Sequence, residues 1–446
     1  MNRFAPSEEP RRFLMVTWDG GGNAASQLAV ARTLAERGHD VRFLAHRSQQ
    51  IAVEAAGARF RPYSRAPEAD SRRPETDLIR DWEAKTRPQA FALAGDRLLF
   101  GPALRFAEDV VAELGREHAD VVCVDSLLIG GMLGGEAAGV PTVHMGHVVY
   151  PVAAPGVPPY GSGFLPARGA AGRLRDAGFR TVSSRALMPG FRTLNEGRAK
   201  LGLEPVHSFE DLIERAALVL MLMSPAFDFA ASAPLPDHVT YTGYVREGPA
   251  PGGAWDDPWP ADDRRPLVVA SFSTNFADQR PLAERVVRAL GGLQVRGLIT
   301  TGPALDLEGL ALPPNVVVRD FVPHAAVFPS ASLVVTHGGL GTLMTALSAG
   351  TPVVCLPDGR DRFDNAARVV ALGAGVRTSV RAPARMLRRT IARALDEPIL
   401  KRAAARTAST LAAEDGLGNA VQALEHVGRD RARTMTGVVA GADAAR

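Results

Sequence analysis

At 446 residues the chain is too long for one hydrophobic core and predicts two domains joined by a linker. With 51 Lys plus Arg against 48 Asp plus Glu the formal net charge is only +3, and no dense basic run interleaves with aromatics, which argues against a nucleic-acid partner. The lysines Lys85, Lys200 and Lys401 lie in no glycine-rich or catalytic-looking context, which disfavours Schiff-base chemistry, and the cysteines Cys123 and Cys355 sit inside apolar runs and read as reduced core thiols.

The opening MNRFAPSEEPRR carries acids and proline where a secretory signal needs an apolar stretch. Eighteen uninterrupted apolar residues occur nowhere, so no integral membrane segment and a cytoplasmic protein are expected. Arg12 to Trp18 is a short apolar strand that breaks at Asp19-Gly20-Gly21-Gly22-Asn23. Beyond the break, Leu28, Val30, Ala31, Leu34 and Ala35 trace a helical face ending at Gly38. Asp40 to Ala45 reads as a strand, Gln50 to Ala56 as a short helix, and Arg59 to Tyr63 as a third strand. Such alternation implies an α/β fold with a parallel, doubly wound sheet. The glycine loop has neither the Gly-Lys-Ser/Thr ending of a P-loop nor G-x-G-x-x-G spacing, so nucleotide hydrolysis and dinucleotide binding are not expected.

From Ser64 to Glu108 the pattern is irregular and then helical. Val121 to Val124 is a strand that ends on Asp125, and a carboxylate at a strand's carboxyl end lies where open parallel sheets gather ligands. The next strand closes on Thr142-Val143-His144-Met145-Gly146-His147. Proline and glycine dominate Pro151 to Arg168, which predicts loops around a cleft rather than core. Tyr150, Tyr160 and Phe164 are either apolar walls for a ligand or stray loop aromatics.

An apolar run, Leu218 to Met223, and a strand, Val239 to Tyr244, end the first half. The Pro- and Gly-rich segment Arg246 to Pro260 is the expected linker, which divides the chain into an N-terminal domain (1–240), a linker (246–260), a C-terminal domain (261–415) and a final helix with a polar tail (416–446). Pro266 to Asn275 is a buried strand ending in small hydroxyl residues, followed by a helix from about Pro281 to Leu290. Leu298 to Thr300 and Val316 to Val322 add strands, and helices near Pro383 to Leu395 and Leu400 to Ala412 close the domain; Thr434 to Arg446 is small and polar enough to be disordered.

The densest chemistry lies in LVVTHGGLGTLMTALSAGTPVVCLPDGRDRFDNAARV, from Leu333 to Val369. A strand ends in Thr336-His337-Gly338-Gly339, and beyond Gly341-Thr342 the spacing of Leu343, Met344, Ala346 and Leu347 is helical. Glycines let backbone N–H groups converge on an anion, and the helix start leaves unpaired donors at a positive dipole end, so a phosphate fits there. His337 adds a donor or a positive charge that an ordinary turn does not need. Gly350 ends the helix, and a second apolar strand, Val353 to Leu356, leads into Asp358, Arg360, Asp361, Arg362, Asp364 and Asn365. Adjacent strand ends therefore offer an anion site and a hydroxyl-binding site.

This run resembles the nucleotide-sugar signature of family-one, GT-B-fold glycosyltransferases, especially bacterial enzymes that decorate natural products. Upstream, Asp320-Phe321-Val322-Pro323-His324 with Phe328-Pro329-Ser330-Ala331 is similar to the family's base-binding segment. The resemblance is continuous over the C-terminal half and looser over the N-terminal half. It implies two doubly wound Rossmann-like domains facing each other, with the acceptor on the first and a nucleotide sugar on the second. It places the base against Phe321, Val322 and His324, the diphosphate on His337, Gly338, Gly339, Gly341 and Thr342 with Ser273 and Thr274 nearby, and the sugar hydroxyls at Asp361 and Arg362. Ser273 and Thr274 also fit a plain helix cap.

Two positions depart from the family. Where a catalytic histidine is usual, the glycine loop has Asn23, whose amide orients a hydroxyl but accepts no proton. Asp19 and Asp125 are the carboxylates that could substitute, although Asp19 equally suits turn shaping or a helix cap; His144 and His147 are near enough to be considered. Where an acid–Gln pair is usual, the second residue is Arg362, which either prefers an acidic or otherwise unusual sugar or pairs with Asp358 or Asp364 as surface charge; the abundance of arginine favours the surface reading. The resemblance implies an inverting transfer from a UDP- or dTDP-sugar to a hydroxyl of a small hydrophobic acceptor, with no metal and no other cofactor. A homodimer is an allowed assembly. Two other classes stay open: a degenerate sugar-nucleotide-binding or partner-activating protein, suggested by Asn23, and a nucleotide-sugar epimerase.

Overall fold

A computed structural model describes residues 9–71, 74–246, 255–273 and 278–427. Two parallel sheets carry the chain. The first is built from β1 (Arg12–Val16), β2 (Asp40–Ala45), β3 (Arg59–Pro62), β4 (Val121–Asp125), β5 (Thr142–Gly146), β6 (Leu218–Met221) and β7 (Val239–Tyr241), in the order β3-β2-β1-β4-β5-β6-β7. The second is built from β8 (Leu267–Ser271), β9 (Arg296–Thr300), β10 (Val316–Arg319), β11 (Leu333–Thr336), β12 (Val353–Cys355) and β13 (Gly375–Arg377), in the order β10-β9-β8-β11-β12-β13.

Apart from the exposed Arg12 the central strands are buried along their length, as strands covered by helices on both faces must be; this is why FLMV, VVCVD and LVVAS read as runs rather than alternating patterns. Both cysteines are fully buried on such strands, and burial pushes their thiols up, that of Cys355 to about 12. Strand order reverses between β1 and β4 in one sheet and between β8 and β11 in the other. A doubly wound sheet opens a crevice at that reversal, beyond the carboxyl ends of its strands. The fold is therefore the expected pair of Rossmann-like sheets, and no helix among the described residues is long and apolar enough to cross a membrane.

The helix over residues 416–427 returns to the first sheet, where Ala420, Val421 and Leu424 pack with Phe13, Val30 and Leu34. Glu425 fixes it there, 3.0 Å from Arg37 and 3.1 Å from His39 Nε2. Residues 247–254 of the expected linker, the opening residues 1–8 and the expected tail at 434–446 lie outside the described residues.

The expectation that Pro151 to Arg168 stays out of the core is overturned. Val152, Ala154 and Val157 are buried in one apolar cluster with Val334, Leu343 and Met344 of the other half. Irregular backbone can be buried only where its polar groups find partners, and here they do. The Gly161 and Gly163 N–H groups donate to Asp364 at 2.5 and 2.7 Å, and the Tyr150 N–H to Asp228 at 2.7 Å. Asp228 in turn takes the Arg368 guanidinium at 2.6 Å, across the two halves. Gly163 has φ +67°, and a Cβ there would come within 2.7 Å of Phe363 Cβ, so the close approach of strap and helix needs glycine. Tyr150 is buried and Phe164 packs on Phe179 under Arg175, while Tyr160 faces the cleft.

A second departure is the 32-residue helix Gly169–Lys200, for which periodicity gave no signal. Its buried residues are only Asp176, Phe191, Leu194, Gly197 and Arg198, too few and too clustered to leave an apolar stripe.

Candidate active site

A cleft of about 1040 Å³ lies between the carboxyl ends of the two sheets and is lined from both. On the C-terminal side, β11 ends at Thr336 and the helix Leu340–Ser348 begins four residues later, behind Gly339. No side chain caps that helix, and Gly339, Gly341 and Thr342 line the cleft, so its leading N–H groups face the cavity. Gly338 has φ +96°, the conformation that lets the turn fold back onto the Arg362 carbonyl.

His337 lies 7% exposed at the cleft wall, with its Nδ1 sealed from solvent and the Ser271 backbone as a polar neighbour of the ring. Burial, assisted by Arg362, pushes the imidazole down to about 3, so at neutral pH in the free protein it is a neutral ring rather than the positive charge considered from sequence. The ring presses on Gly339, where a Cβ would come within 2.7 Å of Nε2.

The next strand end carries a connected polar set. Gln279 Nε2 donates to Asp358 at 2.6 Å while its Oε1 accepts the Ser273 N–H at 2.9 Å; Arg362 pairs with Asp358 and reaches Ser273 Oγ at 3.4 Å. Burial works against the Asp358 charge, but the Arg362 guanidinium holds its carboxyl below the usual range. The reading of Arg362 as a surface charge is corrected: its partner is Asp358, as considered, but the pair is buried at the cleft because it bridges the loops after β8 and β12. Asp364 instead holds the strap of the other half. Asp361 lines the cleft and accepts from Asn365 Nδ2 at 2.8 Å. Thr274 lies outside the described residues.

Along the outer edge Phe321 is 67% exposed and faces the cleft, Val322 is buried beneath it, and His324 stacks on Phe328 at 4.5 Å with Nε2 3.3 Å from Thr300 Oγ1. Burial pushes His324 down to about 4. An exposed apolar ring beside backbone and hydroxyl groups suits a planar ligand.

The N-terminal wall is made differently. Asn23 precedes the helix Ala24–Glu36, and its amide donates to the Trp18 carbonyl at 2.9 Å and Asp125 Oδ2 at 2.7 Å while accepting the Gly20 N–H at 2.9 Å. Both of its amide N–H groups and one lone pair of its oxygen are used inside the loop, at a position that lines the cleft. Asp19 binds the Gly21 N–H at 3.1 Å and Ser48 Oγ at 2.8 Å, and does not line the cleft. Asp125 is 0% exposed and lies behind the wall, accepting from Asn23, from Gln27 Nε2 at 3.1 Å and from the Leu127 N–H at 2.9 Å. His147 Nδ1 stands 3.3 Å from its Oδ2, and His147 does line the cleft. His144 is buried away from it, pushed down to about 3 by burial.

Arg360, at φ +50°, crosses from the second half to Asp81 of the first, with Nε 2.8 Å from Oδ2. No sequence pattern pairs positions so far apart, and this contact and the Asp364 strap went unforeseen.

Residues 285–427 match the C-terminal domain family of erythromycin biosynthesis protein CIII-like proteins. Over 434 residues the chain is 30% identical to 4'-demethylrebeccamycin synthase of Lentzea aerocolonigenes, covering 93% of this chain and 99% of that one. Among solved structures it is similar to the glycotransferase of kitacinnamycin, with TM-score 0.74 at 21% identity over 94% of this chain and 99% of the other. It is similar also to the glycosyltransferase VinC in complex with DTDP, with TM-score 0.66 at 23% identity over 94% and 100%.

Proposed function

The chain belongs to the GT-B-fold glycosyltransferases of natural-product biosynthesis, and from that membership we propose that it moves a sugar, with inversion, from a UDP- or dTDP-sugar to a hydroxyl of a small apolar acceptor. The observation that carries the donor assignment is the uncapped start of the helix Leu340–Ser348, which opens on the crevice of the second sheet with the His337 imidazole beside it at the cleft wall. Amides and a neutral ring donor there stabilise a diphosphate by hydrogen bonding as it leaves, which is where charge develops when the anomeric carbon becomes oxocarbenium-like.

In this reading Phe321, Val322 and His324 carry the base, and Ser273 with Gly338, Gly339, Gly341 and Thr342 surrounds the phosphates; the assignment of Thr274 rests on the sequence alone. Asp361 and Arg362 face the sugar hydroxyls. Because Asp358 already neutralises Arg362, the guanidinium is a hydrogen-bond donor to a neutral sugar and not a seat for an acidic one. The acceptor occupies the N-terminal side, against Trp18, Phe91 and Tyr160, where the wall is mostly apolar. Incubating the protein with dTDP- and UDP-sugars and an acceptor panel, with mass and anomeric configuration of products read by mass spectrometry and NMR, tests the proposal. Transfer with inverted configuration is expected, and retention would refute the mechanism.

A further inference from the structure

We infer that His147 is the catalytic base of the transfer and that Asp125 is its positioning residue, an inference that rests on the glycosyl-transfer reading above. The loop position where the resembled enzymes keep a histidine holds Asn23, whose amide N–H groups are both engaged and whose amide takes no proton. A base must therefore come from elsewhere on the acceptor wall. Asp19 and Asp125 do not reach the cleft, and neither does His144. His147 does, through a side chain that is 14% exposed.

The orientation of the ring fits the task. Nδ1 is sealed in the wall without a hydrogen bond and faces Asp125 Oδ2 at 3.3 Å, while Nε2 across the ring makes no hydrogen bond to the described residues and is left on the open side. A long, imperfectly aligned contact of this kind is common in free enzymes and tightens when substrate binds. Asp125 is placed for the second role. Its carboxylate is fully buried and fixed by Asn23, Gln27 and the Leu127 N–H, so it cannot turn away from the ring. A fixed carboxylate behind an imidazole selects the tautomer with the proton on Nδ1 and stabilises the imidazolium. Among the described residues Asp125 is the one charged group within ion-pair distance of His147; Asp81, Lys85, Arg180, Glu210 and Asp361 line the same cleft without touching the ring. Asn23 acquires a purpose in this arrangement, since its 2.7 Å bond holds the carboxylate that holds the base.

The step balances without any further reagent. The acceptor oxygen forms a bond to the anomeric carbon, its proton passes to His147 Nε2, and the bond from the anomeric carbon to the diphosphate oxygen breaks with its electron pair leaving on the diphosphate. The imidazolium then returns its proton to solvent.

The test uses the full chain with dTDP-glucose or UDP-glucose and a series of phenols of graded acidity, from 4-methoxyphenol to 4-nitrophenol. An acceptor already ionised needs no base. His147→Ala and His147→Gln should lower kcat roughly 10²–10⁴-fold on 4-methoxyphenol, far less on 4-nitrophenol, and abolish the rise of kcat with pH, at unchanged melting temperature and dTDP affinity. Asp125→Asn should shift that rise along the pH axis, which a merely structural carboxylate would not do. If both His147 variants keep the wild-type rate and pH profile on 4-methoxyphenol, the assignment of the base is wrong. Failure of wild-type protein to bind dTDP or UDP would overturn the donor site instead, a result visible without any variant.

Discussion

The chain builds the same corner twice, strand to glycine loop to helix, at the reversal point of each sheet, and furnishes the two differently. After β1 the loop is shaped by side chains: Asn23 lies across it, Asp19 binds its Gly21 amide, and Gln49 and Tyr63 hold the carbonyls of Trp18 and Thr17. After β11 glycines do the shaping and the helix start is left uncapped. A wall of main-chain amides serves one chemistry, the binding of an anion, whatever the neighbouring residues are. A wall of side chains can be rewritten, which is how one fold comes to hold different acceptors and different bases.

The largest break of this comparison is His337→Ala. Removing one donor from a preorganised anion site costs roughly 10²–10³-fold in kcat, so transfer should fall by that factor and dTDP affinity should weaken with it. Gly339→Ala should do the same without deleting any donor, because its backbone suits alanine and the new methyl meets the imidazole at Nε2. Single-turnover rates and calorimetric titration with dTDP read both effects. Full activity in His337→Ala would remove the phosphate assignment.

Next is Asn23→Ala on the other wall. It strips hydrogen bonds from the Trp18 carbonyl, the Gly20 N–H and the buried Asp125, a loss of about 1–3 kcal/mol of stability. Chemical denaturation should show that drop while dTDP affinity stays as it was. A parallel loss of dTDP affinity would mean that the two corners are not separable.

Which of these features were legible beforehand follows from their range. The strands, their parallel alternation and the His337 turn were readable because each is a pattern within a few residues of sequence. Asp125 was singled out from its place at a strand end, but its burial behind His147 depends on the β4–β5 pairing and the glycine loop together, which no single segment encodes. The strap at Pro151 to Arg168 misled because glycine and proline usually mark exposed loops, and the partners that permit its burial, Asp364 and Asp228, are supplied by distant parts of the chain.

A pH effect falls on both halves. His337 and His324 in the second half and His144 in the first are pushed down to about 3, about 4 and about 3, all with burial as the leading cause. An unfolded histidine takes its proton near pH 6.5, whereas these do so only below about 4, so the unfolded chain binds more protons in between and stability falls as pH drops through that window. Each contributes a loss on the order of 1–2 kcal/mol between pH 6.5 and 5. Melting temperature should decline over that range. Bound dTDP should recover part of the loss, since its charge favours the His337 imidazolium, and His337→Gln should cancel that recovery.

The smallest expected effect lies where the two walls are tied together. Arg360 reaches Asp81 from a left-handed backbone, φ +50°, and both side chains are partly open, 23% and 18% exposed. Burial works against the guanidinium, but Asp81 keeps it charged; the pair is oriented by two hydrogen bonds, 2.8 and 3.1 Å long. Arg360→Ala removes the pair and keeps the unfavourable backbone, so it should cost about 1–2 kcal/mol and raise the KM for donor more than it lowers kcat. Arg360→Gly removes the same pair but relieves the backbone, so its stability should lie about 1 kcal/mol above that of the alanine variant with the same rise in KM. Equal KM values with unequal stabilities would assign the contact to holding the halves at their working distance and the backbone to the fold. Unequal KM values would mean that the conformation of the loop, and not the ion pair, sets how the second wall meets the first.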